Sequence, residues 1–337
     1  MDDATPVPPI EEVLDSARVV SIPMRVKFRG VLEREALLVR GPLGWGEFCP
    51  FPEYDDAEAA PWLASALEAA WQGLPAPVRS SVPVNATVPA VGPDRVEAVL
   101  SRFGRVSAVK IKVAERGQRL ADDVARVAEV RRLLPDAGIK LDANGGWTVD
   151  EALRAVEALD RFGLQYVEQP VADIPGLRSV RLELRRRGNG VLVAADESVR
   201  RQEDPLLVAR EDAADLLVIK APPLGGVRRA LDIIAQAGLP AVVSSALDTS
   251  VGIRSGVALA AALPELPYAC GLATVSLMAG DVTESSLVPE GGALPVREVE
   301  VSEALLDRFA AAPERRRWWL DRLRRTHAVL SGVRMGP

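Results

Sequence analysis

Histidine is almost missing from this 337-residue chain; the single copy, His327, lies near the C-terminal end. That shortage excludes an HExxH zinc site, a His-Asp dyad in the body of the chain and a Ser-His-Asp triad completed before residue 327. His327 falls on a basic helical stretch and reads as a surface residue. Cysteine is nearly as scarce: Cys49 and Cys270 form neither a disulfide framework nor a metal-binding spacing. No apolar run approaches the ~20 residues that a bilayer span needs, so membrane insertion is not expected. The acidic, proline-rich start lacks the basic and apolar regions of a signal peptide, which makes the cytoplasm the expected compartment. A net charge of −6 argues against a nucleic-acid surface. Lysine is the third shortage, with five copies against 36 arginines.

Those five are Lys27, Lys110, Lys112, Lys140 and Lys220. Arginine does not release its proton in a protein, whereas lysine does so once desolvation or neighbouring cations lower its pKa from about 10.4. Codon bias explains the count equally well, so position has to decide. Two lysines stand in Lys110-Ile111-Lys112 and another in Val218-Ile219-Lys220-Ala221-Pro222.

From about residue 84, short apolar runs alternate with amphipathic stretches. Strands are predicted over 84–88, 107–113, 139–143, 165–169, 191–195, 216–220, 241–244 and 268–270. Helices are predicted between them, over 120–134, 149–161, 177–187, 205–210, 226–236 and 253–263. This alternation predicts βαβ units and an α/β barrel of TIM type. Lys112, Asp142, Glu168, Asp196, Lys220 and Ser244 recur at intervals of one βα unit, each closing an apolar strand. A barrel brings such positions together at one mouth; an open sheet would spread them along a line. The first part of the chain reads as a small α+β domain, with strands over 19–28 and 34–40, a turn at Gly44-Trp45-Gly46-Glu47 and a helix over 56–71. The expected division is a cap over 1–82, the barrel over 83–285 and a segment over 286–337 that packs back on cap or barrel. The arginine-rich stretch from Arg315 to Arg325 resembles a membrane-surface helix in composition, but a docked helix with a solvated face, burying Trp318 and Trp319, fits it better.

Asp142, Glu168 and Asp196 supply three carboxylates from consecutive strands, and converging carboxylates need a cation. All-oxygen ligation favours Mg²⁺ or Mn²⁺ over Zn²⁺, with positions left for a substrate carboxylate. Without a metal, the same residues read as an ion-pair network with the lysines. Lys110 and Lys112 project to the same side of their strand, so mutual repulsion and a nearby metal should leave one as a neutral base. Lys220 lies on the opposite side of an eight-strand ring. Metal plus lysine suits removal of a proton α to a carboxylate.

The motifs Lys110-Ile111-Lys112, Leu141-Asp142-Ala143-Asn144, Val167-Glu168-Gln169-Pro170, Ala195-Asp196-Glu197-Ser198 and Ile219-Lys220 together resemble the enolase superfamily, specifically its muconate-lactonizing subgroup. The resemblance spans most of the chain and implies an N-terminal α+β capping domain followed by a modified (β/α)7β barrel. It implies Asp142, Glu168 and Asp196 as ligands of Mg²⁺, with Mn²⁺ as a substitute. Lys112 matches the acid/base lysine, Lys110 supports it and Lys220 faces it. The short chain and the Ser21–Gly30 segment are similar to the subgroup's compact dehydratases. That likeness implies syn-dehydration of 2-succinyl-6-hydroxy-2,4-cyclohexadiene-1-carboxylate to 2-succinylbenzoate, a menaquinone precursor. Lys112 would remove the α-proton and assist loss of water, and Lys220 would stabilise a metal-held enediolate.

Substrate contacts are expected from the cap, at Arg25 in the Arg25–Arg29 segment and Phe51 in the 48–54 loop. From the barrel they are expected at Ser244, Ser245 and Leu247, whose segment either offers amides to the succinyl carboxylate or simply caps a helix. Asn144 either orients the first metal ligand or serves as a turn residue. Competing readings are an N-acylamino-acid racemase, a muconate cycloisomerase and, less well supported, a dipeptide epimerase. A Schiff-base aldolase using Lys220 and a non-catalytic binding barrel complete the set. The expected partner is a small carboxylate; oligomeric state stays open, and a monomer is compatible with the sequence.

Overall fold

A computed structural model describes residues 7–28, 30–201 and 203–332. Arg29, named above with the cap segment, and the first six residues of the acidic start lie outside the described residues.

The cap is built on an antiparallel sheet of β1 (Arg18–Phe28), β2 (Val31–Gly41) and β3 (Gly44–Phe48). The Gly44–Glu47 stretch, expected as a turn, is therefore strand throughout, in register with Leu38 to Gly41. Its glycines have a packing purpose: a Cβ at Gly46 would run into the Ala66 carbonyl on the helix Asp56–Leu67, which lies across the sheet. That helix starts where the Asp55 carboxylate accepts the Glu58 amide at 2.7 Å.

β4 (Ser81–Pro83) pairs antiparallel with β12 (Ala293–Pro295), joining the late chain to the start of the barrel. The barrel wall is a parallel sheet of β5 (Ala86–Val88), β6 (Ala108–Lys112), β7 (Gly138–Asp142), β8 (Leu164–Glu168), β9 (Leu192–Ala195), β10 (Leu216–Ile219) and β11 (Ala241–Val243). Of the stretch 268–270, expected as an eighth strand, only Cys270 forms a bridge, and Gly271 just beyond it forms a second. Cys270 bridges Val84 and Gly271 bridges Ser244, which closes the ring between β11 and the chain entering β5. Pro267 precedes that short segment and Gly271 ends it, and neither favours a longer ladder.

The register sets the chemistry in layers. Lys112 pairs beside Asp142 and Asp142 beside Glu168, while Lys110, Lys140 and Tyr166 form the layer beneath. The helix Pro313–Leu330 returns to the cap, burying Trp319 fully and Trp318 in part, with Arg325 on Asp56. His327 is half-buried rather than superficial, and its Nε2 lies 2.8 Å from the Pro8 carbonyl oxygen. Among the described residues, no helix is long and apolar enough to cross a membrane.

Candidate active site and metal centre

The C-terminal ends of the barrel strands and the cap enclose one cavity of about 1100 Å³. Lys110, Lys112, Asp142, Asp196 and Lys220 all line it. Asp142, Glu168 and Asp196 are fully or almost fully buried, and each offers an oxygen within 4.8 Å of the others. Burial and the charge of Asp142 push Glu168 up to about 8. Burial works against Asp196 as well, but Lys220 and Arg200 overcome it and hold its carboxyl below the usual range. Three buried carboxylates at this spacing are a suitable oxygen donor set for a hard divalent cation.

The lysines are the counter-ions of that set. Lys110 Nζ lies 2.9 Å from Glu168 Oε1 and 3.1 Å from Asp142 Oδ2. Lys112 Nζ contacts Asp142 and Lys220 Nζ contacts Asp196. Burial lowers Lys110, but Glu168, Asp142 and Asp196 together outweigh it and hold its pKa well above the ordinary value. Lys112 also donates to Asn144 Oδ1 at 2.8 Å and lies 5.4 Å from the centroid of the Phe28 ring. Lys112 ends β6 and Lys220 follows β10, four strands apart in a ring closed by Cys270 and Gly271. The two ammonium groups therefore approach the cavity from opposite walls.

Phe51, Ser244, Ser245 and Leu247 line the cavity as well. Arg25 does not: it donates to the Met278 carbonyl at 2.8 Å and borders a separate cavity. It faces away because Met24 bridges Met278, which turns that part of β1 toward the 275–289 loop. Asn144 has a left-handed backbone (φ 48°), and its Nδ2 donates to Glu197 at 3.2 Å, so it ties Lys112 to the Asp196 loop. The helix Ser250–Ala262 has little left to offer a substrate. Glu47 accepts the Thr249 and Gly252 amides, Asp281 accepts that of Ser250, and Asp248 accepts that of Ala246. Ser245 Oγ is engaged with Gly271 and Thr274.

Several contributors escaped the sequence reading. Gln169, fully buried, accepts the amides of Asp196 and Ser198 and so fixes the third carboxylate's loop. Arg34 and Thr87 also line the cavity. The signal for Arg34 was its place in β2, where it shares an inward face with Ala36 and Leu38 at strand spacing.

Residues 19–70 match the enolase N-terminal domain-like family and residues 94–300 the enolase C-terminal domain-like family. The chain belongs to the enolase superfamily. Over 323 residues it is 52% identical to the o-succinylbenzoate synthase of Thermobifida fusca, covering 96% of this chain and 99% of that one. The o-succinylbenzoate synthase of Mycolicibacterium smegmatis is 52% identical over 325 residues, with 96% and 99% covered. That of Mycobacterium tuberculosis is 50% identical, with 96% and 97% covered. Within the superfamily, the chain falls in the o-succinylbenzoate synthase family. The fold is shared with the muconate lactonizing enzyme of Pseudomonas fluorescens (TM-score 0.75, 20% identity, 88% of this chain and 98% of that one covered). It is shared too with the dipeptide epimerase of Enterococcus faecalis (TM-score 0.68, 21% identity, 84% and 97% covered).

Proposed function

We propose that the chain catalyses syn-dehydration of 2-succinyl-6-hydroxy-2,4-cyclohexadiene-1-carboxylate to 2-succinylbenzoate, with Mg²⁺ held by Asp142, Glu168 and Asp196. The observation that carries this reading is the pair of opposed lysines, Lys112 and Lys220, set against carboxylates in one cavity. It rests equally on the full-length likeness to o-succinylbenzoate synthases. A divalent cation supplies positive charge that offsets the negative charge developing on the ring carboxylate.

Lys112 removes the proton at the ring carbon bearing the carboxylate, for which it must first lose its own proton. A divalent cation held by Asp142, Glu168 and Asp196 would place positive charge beside Lys112 and so favour its neutral form. The hydroxyl leaves from the adjacent ring carbon, and Lys112, now protonated, delivers the same proton to it on the same face. One C–H and one C–O bond break, the ring becomes aromatic, and water departs. Lys220, paired with Asp196 on the other face, offsets the charge spread over the ring. Phe28 and Phe51 keep water from the reacting carbons.

The test is loss of diene absorbance, with and without Mg²⁺. Conversion is expected to need the metal and to fall by at least about 10³-fold in Lys112→Ala. No conversion by the metal-loaded wild type rejects the reading. Opposed lysines also suit proton exchange at a single carbon, so slow racemisation of N-succinylamino acids is a second activity to assay. In that reaction Lys220→Ala should abolish exchange on one face only.

A further inference from the structure

Arg34 is 3% exposed, yet it forms no salt bridge among the described residues. Its Nε donates to the Leu247 carbonyl at 3.2 Å and its Nη2 donates to the Cys49 carbonyl. The Phe51 ring lies against the guanidinium, 4.6 Å from centroid to carbon. Nη1 has no protein acceptor among the described residues, and the side chain borders the cavity that holds the two opposed lysines. Several other deeply buried cations behave differently, although Lys140, bonded to Asn85 and the Ala269 carbonyl, also lacks a carboxylate. Arg126 pairs with Asp123, and Lys110 with Glu168 and Asp142. Arg322 also lacks a carboxylate, but both its terminal nitrogens are used on carbonyls of the 50–54 loop. A buried cation with an unused donor is costly unless an anion completes it.

The proposed substrate provides one. It carries two carboxylates, and only the ring carboxylate belongs at the lysines and the acidic triad. Among the amides after β11, those of Ala246, Thr249, Ser250 and Gly252 are already taken by Asp248, Glu47 and Asp281. Of the remaining cations on the cavity wall, Arg200 is paired with Glu197 and Arg201 is exposed. The walls also carry Glu33, Glu53 and Glu58, which repel a second anion everywhere else.

We propose that Arg34 is the specificity-determining residue that binds the distal, succinyl carboxylate through Nη1. This rests on the dehydratase reading and deepens it. The carbonyls of Leu247 and Cys49 and the Phe51 ring hold the guanidinium in place before substrate arrives, so little side-chain entropy is lost on binding. Leu247 presents its carbonyl from a left-handed backbone (φ 65°), a conformation stabilised here by the buried loop around it.

The experiment compares the natural dianion with its methyl ester at the succinyl carboxyl, on metal-loaded wild type and on Arg34→Met. Wild type should prefer the dianion by roughly 30-fold or more in kcat/KM, chiefly through KM. Arg34→Met should treat the two alike, at about the ester's level. A merely structural arginine would lower both substrates equally and keep their ratio. A preserved ratio in Arg34→Met, or no preference in the wild type, overturns the proposal; the wild-type comparison holds even if the variant fails to fold. If neither compound turns over, the dehydratase reading fails. Calorimetry of 2-succinylbenzoate and its ω-ester then judges Arg34, with equal or absent binding overturning it.

Discussion

Arg126 and Lys112 divide one task by chemistry. Arg126 is 1% exposed and spans the Val91 carbonyl, the Lys112 carbonyl and Asp123, each at 2.7–2.8 Å, as well as Gln118. A guanidinium suits that work because it stays charged and presents a planar fork of donors. It fixes the end of β6 from behind, so the Lys112 ammonium projects from a braced backbone. Arg126→Met should cost about 3–5 kcal/mol in urea unfolding, because Asp123 is left buried without its partner. Arg126→Lys should recover only part of this, since one ammonium cannot reach the same acceptors. At this scale the sequence was legible where chemistry forces a residue type: the lysine pair and the three carboxylates stand out by type and spacing. Arg34, Arg126 and Gln169 did not, because many of their hydrogen-bond partners are backbone groups, which leave no trace in side-chain identity.

The helix Pro313–Leu330 builds part of the cavity without contributing to its chemistry. Arg322 holds the carbonyls of Phe51 and Tyr54, and Trp319 and Arg315 hold Glu35. Those contacts set the 50–54 loop, and that loop sets the ring against Arg34. Arg322→Ala should therefore raise KM for the dianion by about tenfold or more and lower kcat less, a split readable in steady-state kinetics. Unfolding should show a loss of about 2–4 kcal/mol from the stranded carbonyls and the vacated space beside Trp318 and Trp319. The docked helix was readable from its two tryptophans. The burial of Arg322 was not, because a run of arginines has the composition of a solvated face whichever member turns inward.

Across the whole molecule, cap and barrel are joined by Glu47, whose carboxylate on β3 caps the helix Ser250–Ala262 beside Asp248 and Cys49. Burial first, and then the charge of Asp248, push Glu47 from 4.5 up to about 7. A raised carboxyl favours the protonated folded form. Its stabilising contribution is complete below the unfolded value of 4.5 and is lost as pH rises through about 7. Unfolding free energy should thus lose up to about 3 kcal/mol across that window from this group. Asp248→Asn should move the loss to lower pH, measured by urea unfolding at a series of pH values. The barrel itself was legible from the unit-length recurrence of polar strand ends, which sheet geometry imposes on any sequence of this architecture. The weak eighth strand was not, since two bridges closing a ring depend on partners far away in sequence, Val84 and Ser244. The late helix has one more implication, for the order in which the protein matures. The ribosome has made every lysine and carboxylate of the centre by residue 220, and the ring can close once 271 has emerged. The helix that braces the 50–54 loop beside Arg34 waits for Trp319 and Arg322. In a nascent chain the acid–base centre would thus be complete before the brace on the cap loop is, and the substrate-facing wall would be the last part of the molecule to take its final shape.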